Sequence, residues 1–196
     1  GIYHFKTPAQ LTSDGRDNIT VQCENGAHLV ADVGTPYISD MIWASMGDYM
    51  QVDGCNFHGN GNVELVPGQE ATTVGTGLGV HLQFTSWSMI SNNFVENTQY
   101  GVDYSTASYS SLINNKVRNV MHGVTITGGE KESYPLQGYG NVMMGNQVFE
   151  ASENCYYYHS LKNATISHNI GTNCANDDSG TGIFALCSDG SSNNTI

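Results

Sequence analysis

Short runs of alternating apolar and polar residues recur along the chain, each opening on a small residue: GVHLQF at 79–84, GVDYS at 101–105, GVTITG at 123–128, CYYYHS at 155–160 and GIFALC at 182–187. MIWAS at 41–45 and IYHF at 2–5 fit less tightly. Alternation of period two marks a strand with one buried face. A second line precedes most of these runs: MISNNFVEN at 89–97, LINNKVRN at 112–119, MMGNQVFE at 143–150 and TISHNIGTN at 165–173, with a looser copy, VDGCNFHGN, at 52–60. One asparagine holds the same place in each, Asn56, Asn93, Asn115, Asn146 and Asn169, at steps of 37, 22, 31 and 23 residues. A fixed short core with a variable remainder marks a solenoid whose coils differ in their loops. Each coil reads as three strands, and stacked coils pair their strands about 4.8 Å apart. The pattern therefore predicts an all-β parallel β-helix of about six to seven coils, forming a single domain over 1–196.

The recurring asparagine has a physical reason. A sharp corner between strands leaves backbone groups unpaired, and asparagine both tolerates the left-handed conformation and bonds locally. Stacked amides also bond to one another as a ladder. Val80, Leu82, Val102, Tyr104, Val124, Ile126, Ile183 and Ala185 are expected to face the core. The final Asn194-Thr195-Ile196 matches Ala164-Thr165-Ile166 as the opening of a new strand, so the chain is expected to be part of a longer polypeptide cut in mid-coil.

Composition narrows the function classes. Only 12% of residues are charged and the formal net charge is −12, from six Lys plus Arg against eighteen Asp plus Glu. Nucleic acid is excluded as a partner, because phosphate binding needs a basic stripe. A neutral, hydroxyl-rich ligand suits such a surface better than an anionic one. The five cysteines, Cys23, Cys55, Cys155, Cys174 and Cys187, are odd in number and form no CxxC pair. They point to buried thiols rather than a disulfide framework or a zinc site. No apolar run reaches membrane-spanning length and no signal-peptide pattern opens the chain, so membrane insertion is not expected.

The stretch GIYHF…NITVQCENGAHLVAD (1–32), the segment GCNFHGNG (54–61) and the IxNNxVxN…GV lines together resemble the right-handed parallel β-helix proteins of the pectate-lyase-like superfamily. Within it they resemble bacteriophage tailspikes that degrade bacterial surface polysaccharides. The resemblance implies a right-handed β-helix, a homotrimer, a place on the virion tail or secretion as a polysaccharide-active enzyme, and glycan lying along the GVxx strands. Fold alone does not select an activity. The Asp arrangement of polygalacturonase-type hydrolases is missing, since Asp177-Asp178 lie several residues upstream of Ile183.

If the valines of the GVxx lines face inward, their neighbours face outward. One outward column is then Trp43, His81, Asp103, Thr125, Tyr157 and Phe184, and a second is Ser45, Gln83, Ser105, Thr127, His159 and Leu186. Aromatic faces stack on sugars while amides and hydroxyls meet sugar hydroxyls, so Trp43, His81, Gln83, Tyr157, His159 and Phe184 are candidate substrate-binding residues. Burial under a loop or a neighbouring subunit needs the same residue types. The long loops 61–78, 128–140 and 173–181 flank this face as candidate groove walls. Glycoside hydrolysis needs two carboxyl groups about 5 Å apart for retention, or about 6.5–9.5 Å for inversion. Asp103 is the carboxylate of the outward columns. Glu70, Glu130, Glu132 and Glu153 lie within two coils, and Glu153, beside the Tyr156–Tyr158 cluster, is the partner favoured as the acid. The expected function is a tailspike-type depolymerase segment that hydrolyses bacterial surface polysaccharide with no cofactor or metal. The alternatives are a non-catalytic glycan-binding or structural β-helix of a virion, and a lyase or epimerase with His81, Tyr157 or His159 as base. Elimination also needs a cation to neutralise the uronate, and Lys131 and Lys162 are the nearest basic residues.

Overall fold

The computed structural model describes residues 1–5, 9–10, 17–24, 26–31, 40–45, 47–60, 62–64, 72–74, 77–128, 138–174, 182–187 and 195, with the backbone alone at 5, 9–10, 40–45, 62–64, 72–74, 78 and 182–187. Its strands wind as a three-sided parallel β-helix. One face stacks Thr20–Gln22, Gln51–Asp53, Met89–Ser91, Ser111–Ile113, Val142–Met144 and Thr165–Ser167, each parallel to the next. Thr195 bridges Thr165 in parallel where the sequence places the start of another strand. The second face runs from Ile2–Phe5 through His28–Ala31 and Asn56–His58 to residues 94–96, 116–118, 147–149 and 170–172. The third holds Asp40–Ser45, Leu78–Ser86, residues 100–105, 122–127 and 154–159, and Gly182–Cys187.

Phe94–Ser108, Lys116–Thr127 and Gln147–His159 each run through both the second and third faces. What the polar gaps suggest as separate strands are thus single strands that bend, with Asn97, Asn119 and Glu150 at positive φ on the bend. Inward rows form the core: Val52, Ile90, Leu112, Met143 and Ile166 from the first face, Phe57, Val95, Val117 and Val148 from the second, and Val80, Val102, Val124 and Tyr156 from the third. All are at most 2% exposed, and each such aliphatic side chain contributes about 1.5–3 kcal/mol by leaving water. Tyr156 donates its hydroxyl to the carbonyls of Asn146 and Ile170 at 2.7 and 2.8 Å. Burial pushes the Tyr104 and Tyr156 phenols well above their ordinary range. The small residue of the GVxx line has a packing cause: an added Cβ at Gly101 would lie 2.6 Å from the Gly123 carbonyl oxygen and would also strike Val117.

The asparagine ladder is present, with two corrections. Nδ2 of Asn93, Asn115 and Asn146 donates to Oδ1 of the next rung at 3.0–3.1 Å. The left-handed residue of this corner is not the ladder asparagine but its predecessor: Gly54, Asn92, Asn114, Gly145 and His168 have positive φ. Asn56 is not a rung, because it pairs with Phe94. Cys55 holds that place, donating its N–H to Asn93 Oδ1 at 2.9 Å.

The thiol expectation is also overturned. Cys23 is bonded to Cys55 and Cys155 to Cys174, with Cα–Cα separations of 4.9 and 5.5 Å. Partners 32 and 19 residues apart form no motif, and only coil stacking brings them one rung from each other. Of five cysteines, four are thus paired. Thiol titration of the denatured, unreduced chain is expected to find one free thiol, and replacing Cys155 and Cys174 with serine to lower stability by about 2–4 kcal/mol in urea melts.

Candidate functional site

The third face carries the outward columns the alternation implies. Backbone register aligns Trp43, His81, Asp103, Thr125 and Tyr157 in one row, and Ser45, Gln83, Ser105, Thr127 and His159 in the next. Four of these residues form one cluster. Asp103 accepts the Thr125 hydroxyl on Oδ1 and the Ser105 hydroxyl on Oδ2, the latter at 2.8 Å. His81 Nε2 lies 3.2 Å from Asp103 Oδ2 and 3.1 Å from Ser105 Oγ. The Ser105 proton is committed to Asp103, so Nε2 must carry the hydrogen of both contacts. This leaves Nδ1 of His81 as the nitrogen with a lone pair. Asp103 is 7% exposed and Thr125 2%, so the centre of the face is closed while His81, Gln83 and Tyr157 are half-buried. His159 is buried, with Nδ1 on Ser160 Oγ at 2.8 Å and its ring plane parallel to Tyr157.

Asp103 and Glu153 are not brought together. Glu153 Oε2 meets His122 Nε2 at 3.2 Å, and His122 stacks on Tyr100 and contacts Asn154. The pairing shifts by one residue between Val120 and His122, so Glu153 sits at an irregularity in the sheet. Asp103 is three residues beyond Tyr100 in the shared register, about 10 Å along the strands before the coil spacing is added. Each carboxylate has its own histidine, and no described contact joins the two.

Phe184 is one position out of the expected column. It pairs with Tyr156, an inward residue, while Ala185 pairs with Tyr157 and Cys187 with His159. In backbone register Phe184 and Leu186, not Ile183 and Ala185, align with Tyr156 and Tyr158. Matching GIF to CYY by eye aligns Ile183 with Tyr156, and a slip of one residue exchanges the two faces of a strand. The backbone of Trp43 pairs with His81 as expected. Within the loop 61–78, Asn62–Glu64 and Thr72–Val74 form an antiparallel hairpin whose first strand touches Phe94–Ser108 and Lys116–Thr127. Glu70, Glu130, Lys131, Glu132, Asp177 and Asp178 lie outside the described residues, as do most of the loops 128–140 and 173–181.

Sequence reasoning missed a polar chain on the second face. His28 Nδ1 meets His58 Nε2 at 2.7 Å, His58 Nδ1 meets Glu96 Oε1 at 2.7 Å, and Arg118 Nη2 donates to Glu96 Oε2 at 2.6 Å. The steps of 30, 38 and 22 residues gave no local signal. Burial raises the Glu96 carboxyl, but hydrogen bonds and charge from His58 and Arg118 outweigh it and hold the group below the ordinary glutamate value. Because the folded value is the lower one, this contribution is complete above the unfolded value and is lost as pH falls through the folded one. Urea melts at neutral pH and at about pH 3 should differ more for the wild type than for Glu96→Gln.

Residues 51–196 match the family described as periplasmic copper-binding protein (NosD). The chain belongs to the NosD family. NosD is a right-handed parallel β-helix family, which agrees with the stacked parallel strands. No curated protein matches the chain, and nothing in the match concerns a phage tailspike. The family description is periplasmic, and disulfides persist in oxidising compartments such as the periplasm, so both findings agree on a site outside the cytoplasm. Copper is a different matter. Among the described residues no group of three or more His, Cys, Asp or Glu side chains could hold a metal ion. Four of the thiols are oxidised. In the His28–His58 pair, His58 spends both ring nitrogens on His28 and Glu96, and the Arg118 guanidinium occupies the cation's place on Glu96. The described residues therefore do not fit copper.

Proposed function

We propose that this NosD-family protein binds a neutral polysaccharide across the rungs of its third face and hydrolyses it, with His81 as the base. The observation that carries this reading is the anchored Asp103–His81 pair. A buried carboxylate, locked by Thr125 and Ser105, turns Nε2 of a half-buried histidine toward itself. That arrangement orients the ring and stabilises the imidazolium formed when Nδ1 takes a proton. His81 would draw a proton from the attacking water as its oxygen bonds the anomeric carbon; the departing sugar oxygen takes a proton from solvent, and the imidazolium later returns its own to solvent, so water adds across the broken bond with no net change in protons. Gln83 and Tyr157, on the same outward rows, would hold the sugar. Asp103 is then a positioning residue, not one of two glycosidase carboxylates. Hydrolysis is favoured over elimination because no Lys or Arg stands in the described outward rows to neutralise a uronate.

The test is reducing-end release from a panel of bacterial surface polysaccharides. New reducing ends without an unsaturated product support the reading; an unsaturated product, or release that persists undiminished in His81→Ala, overturns it. Binding without turnover is the second reading, and the burial of Asp103 and Thr125 favours it. The expected tailspike setting, with a homotrimer on a virion, remains a further proposal that sedimentation of the purified chain would test first.

A further inference from the structure

The corner between the third and first faces repeats one turn on every rung, and its left-handed position is held by Asn18, Tyr49, Trp87, Tyr109, Gly140 and Asn163, all with φ between 51° and 63°. Backbone bonds tie this column together, from Asn18 N–H to Asp48, Tyr49 to Ser86, Trp87 to Ser108, Tyr109 to Tyr139 and Gly140 to Lys162. The corner between the first and second faces uses the same device but fills it with Gly, Asn and His. Asparagine and glycine suit the left-handed region, while bulky side chains there are strained. The turn therefore does not call for aromatic residues, yet three consecutive rungs carry them. Nor does core packing call for them, since Tyr49, Trp87 and Tyr109 are 51, 46 and 43% exposed. An unforced strained conformation at an exposed site is a reason to look for function.

The three rings form one continuous stack. Tyr49 and Trp87 have centroids 5.5 Å apart with planes 13° from parallel, and Trp87 and Tyr109 are 5.5 Å apart at 7°. Face-to-face contact would bring them to about 3.5–4.0 Å, so the rings overlap as tiles and each keeps part of a face open. Gly140 completes the surface, because a Cβ there would lie 2.8 Å from the Tyr109 ring. Gln51, Met89 and Ser111, in register on the outward side of the first face, line a groove of about 440 Å³ beside the stack.

We propose that this aromatic corner is a second, non-catalytic binding site for a neutral polysaccharide strand running along the helix axis. The proposal rests on the glycan reading above and extends it to a different edge of the coil. The site repeats once per rung, and an extended pyranose chain advances by a similar distance per sugar, so a periodic ligand meets a periodic surface. Open aromatic faces take the C–H face of sugars, while the Tyr49 and Tyr109 hydroxyls, Gln51 and Ser111 supply donors and acceptors for sugar hydroxyls. With a net charge of −12, the chain repels anionic membranes and nucleic acid.

The test is affinity electrophoresis of the full chain through gels containing hydroxyethylcellulose, glucomannan, amylose or the surface polysaccharides used for turnover. Trp87→Asn and Tyr109→Asn place in the turn the residue that Asn18 and Asn163 already use there. Each is expected to weaken retention about tenfold with the melting temperature unchanged or raised. His81→Ala is expected to slow turnover by about 10²–10⁴-fold and keep retention. Wild-type retention in both asparagine variants overturns the aromatic site and leaves the His81 reading standing. Loss of retention together with a lowered melting temperature overturns it in favour of a structural stack. Binding of the wild type to phosphatidylcholine vesicles in place of any glycan overturns it in favour of a membrane contact. A smaller assembly in the variants, with glycan retention unchanged, overturns it in favour of an interface between copies. If the wild type is retained by none of the glycans and cleaves none, both readings fall.

Discussion

Asn115→Ala is expected to lower the unfolding free energy by roughly 3–5 kcal/mol, with the loss read from urea midpoints at unchanged slope. Asn115 is fully buried at the middle of the ladder. Its Nδ2 donates to the Ile90 carbonyl at 2.9 Å and to Asn146 Oδ1 at 3.1 Å, while its Oδ1 accepts from the Asn93 N–H and the Asn93 amide, both at 3.1 Å. Alanine leaves the Ile90 carbonyl and the Asn93 N–H without these partners, and each buried unsatisfied group costs about 1–3 kcal/mol. A cavity adds to the loss. The neighbour Asn114 is the control. It is exposed with φ 55°, so Asn114→Gly should move stability by less than about 0.5 kcal/mol. If Asn115→Ala proved as mild as Asn114→Gly, the ladder would not bear the weight assigned to it.

The second large effect concerns activity. His81→Ala is expected to reduce glycan hydrolysis by about 10²–10⁴-fold, the usual range for a positioned acid–base group, without lowering the melting temperature by more than a few degrees. Asp103→Asn should show a related loss through a different route. An asparagine amide cannot hold the Nε2 proton as a carboxylate does, so the Nδ1 lone pair is no longer secured and the pH profile of turnover should shift. A merely structural Asp103 would change stability and leave that profile in place. Glu153→Gln should leave turnover close to the wild type, because Glu153 is held by His122, three residues along the strands from the Asp103 row.

The sequence determined by itself whatever depends on local periodicity. Alternation of period two is a property of a single strand, so the inward rows through Val80, Val102 and Val124 and the outward row through His81, Asp103 and Thr125 were legible without coordinates. So was the ladder at Asn93, Asn115, Asn146 and Asn169, because the same corner chemistry repeats at each rung. Tertiary structure alone decided how the coils align and what meets between them. Phe184 changed columns because a register step of one residue is invisible in a short apolar run. The two disulfides, the Asp103–His81 contact and the His28–His58–Glu96–Arg118 chain join residues about twenty or more positions apart, with a spacing set by loops of unequal length. The tiled rings of Tyr49, Trp87 and Tyr109 lie in three different coils, and no feature of any one coil foretells that the next will place an aromatic residue over it.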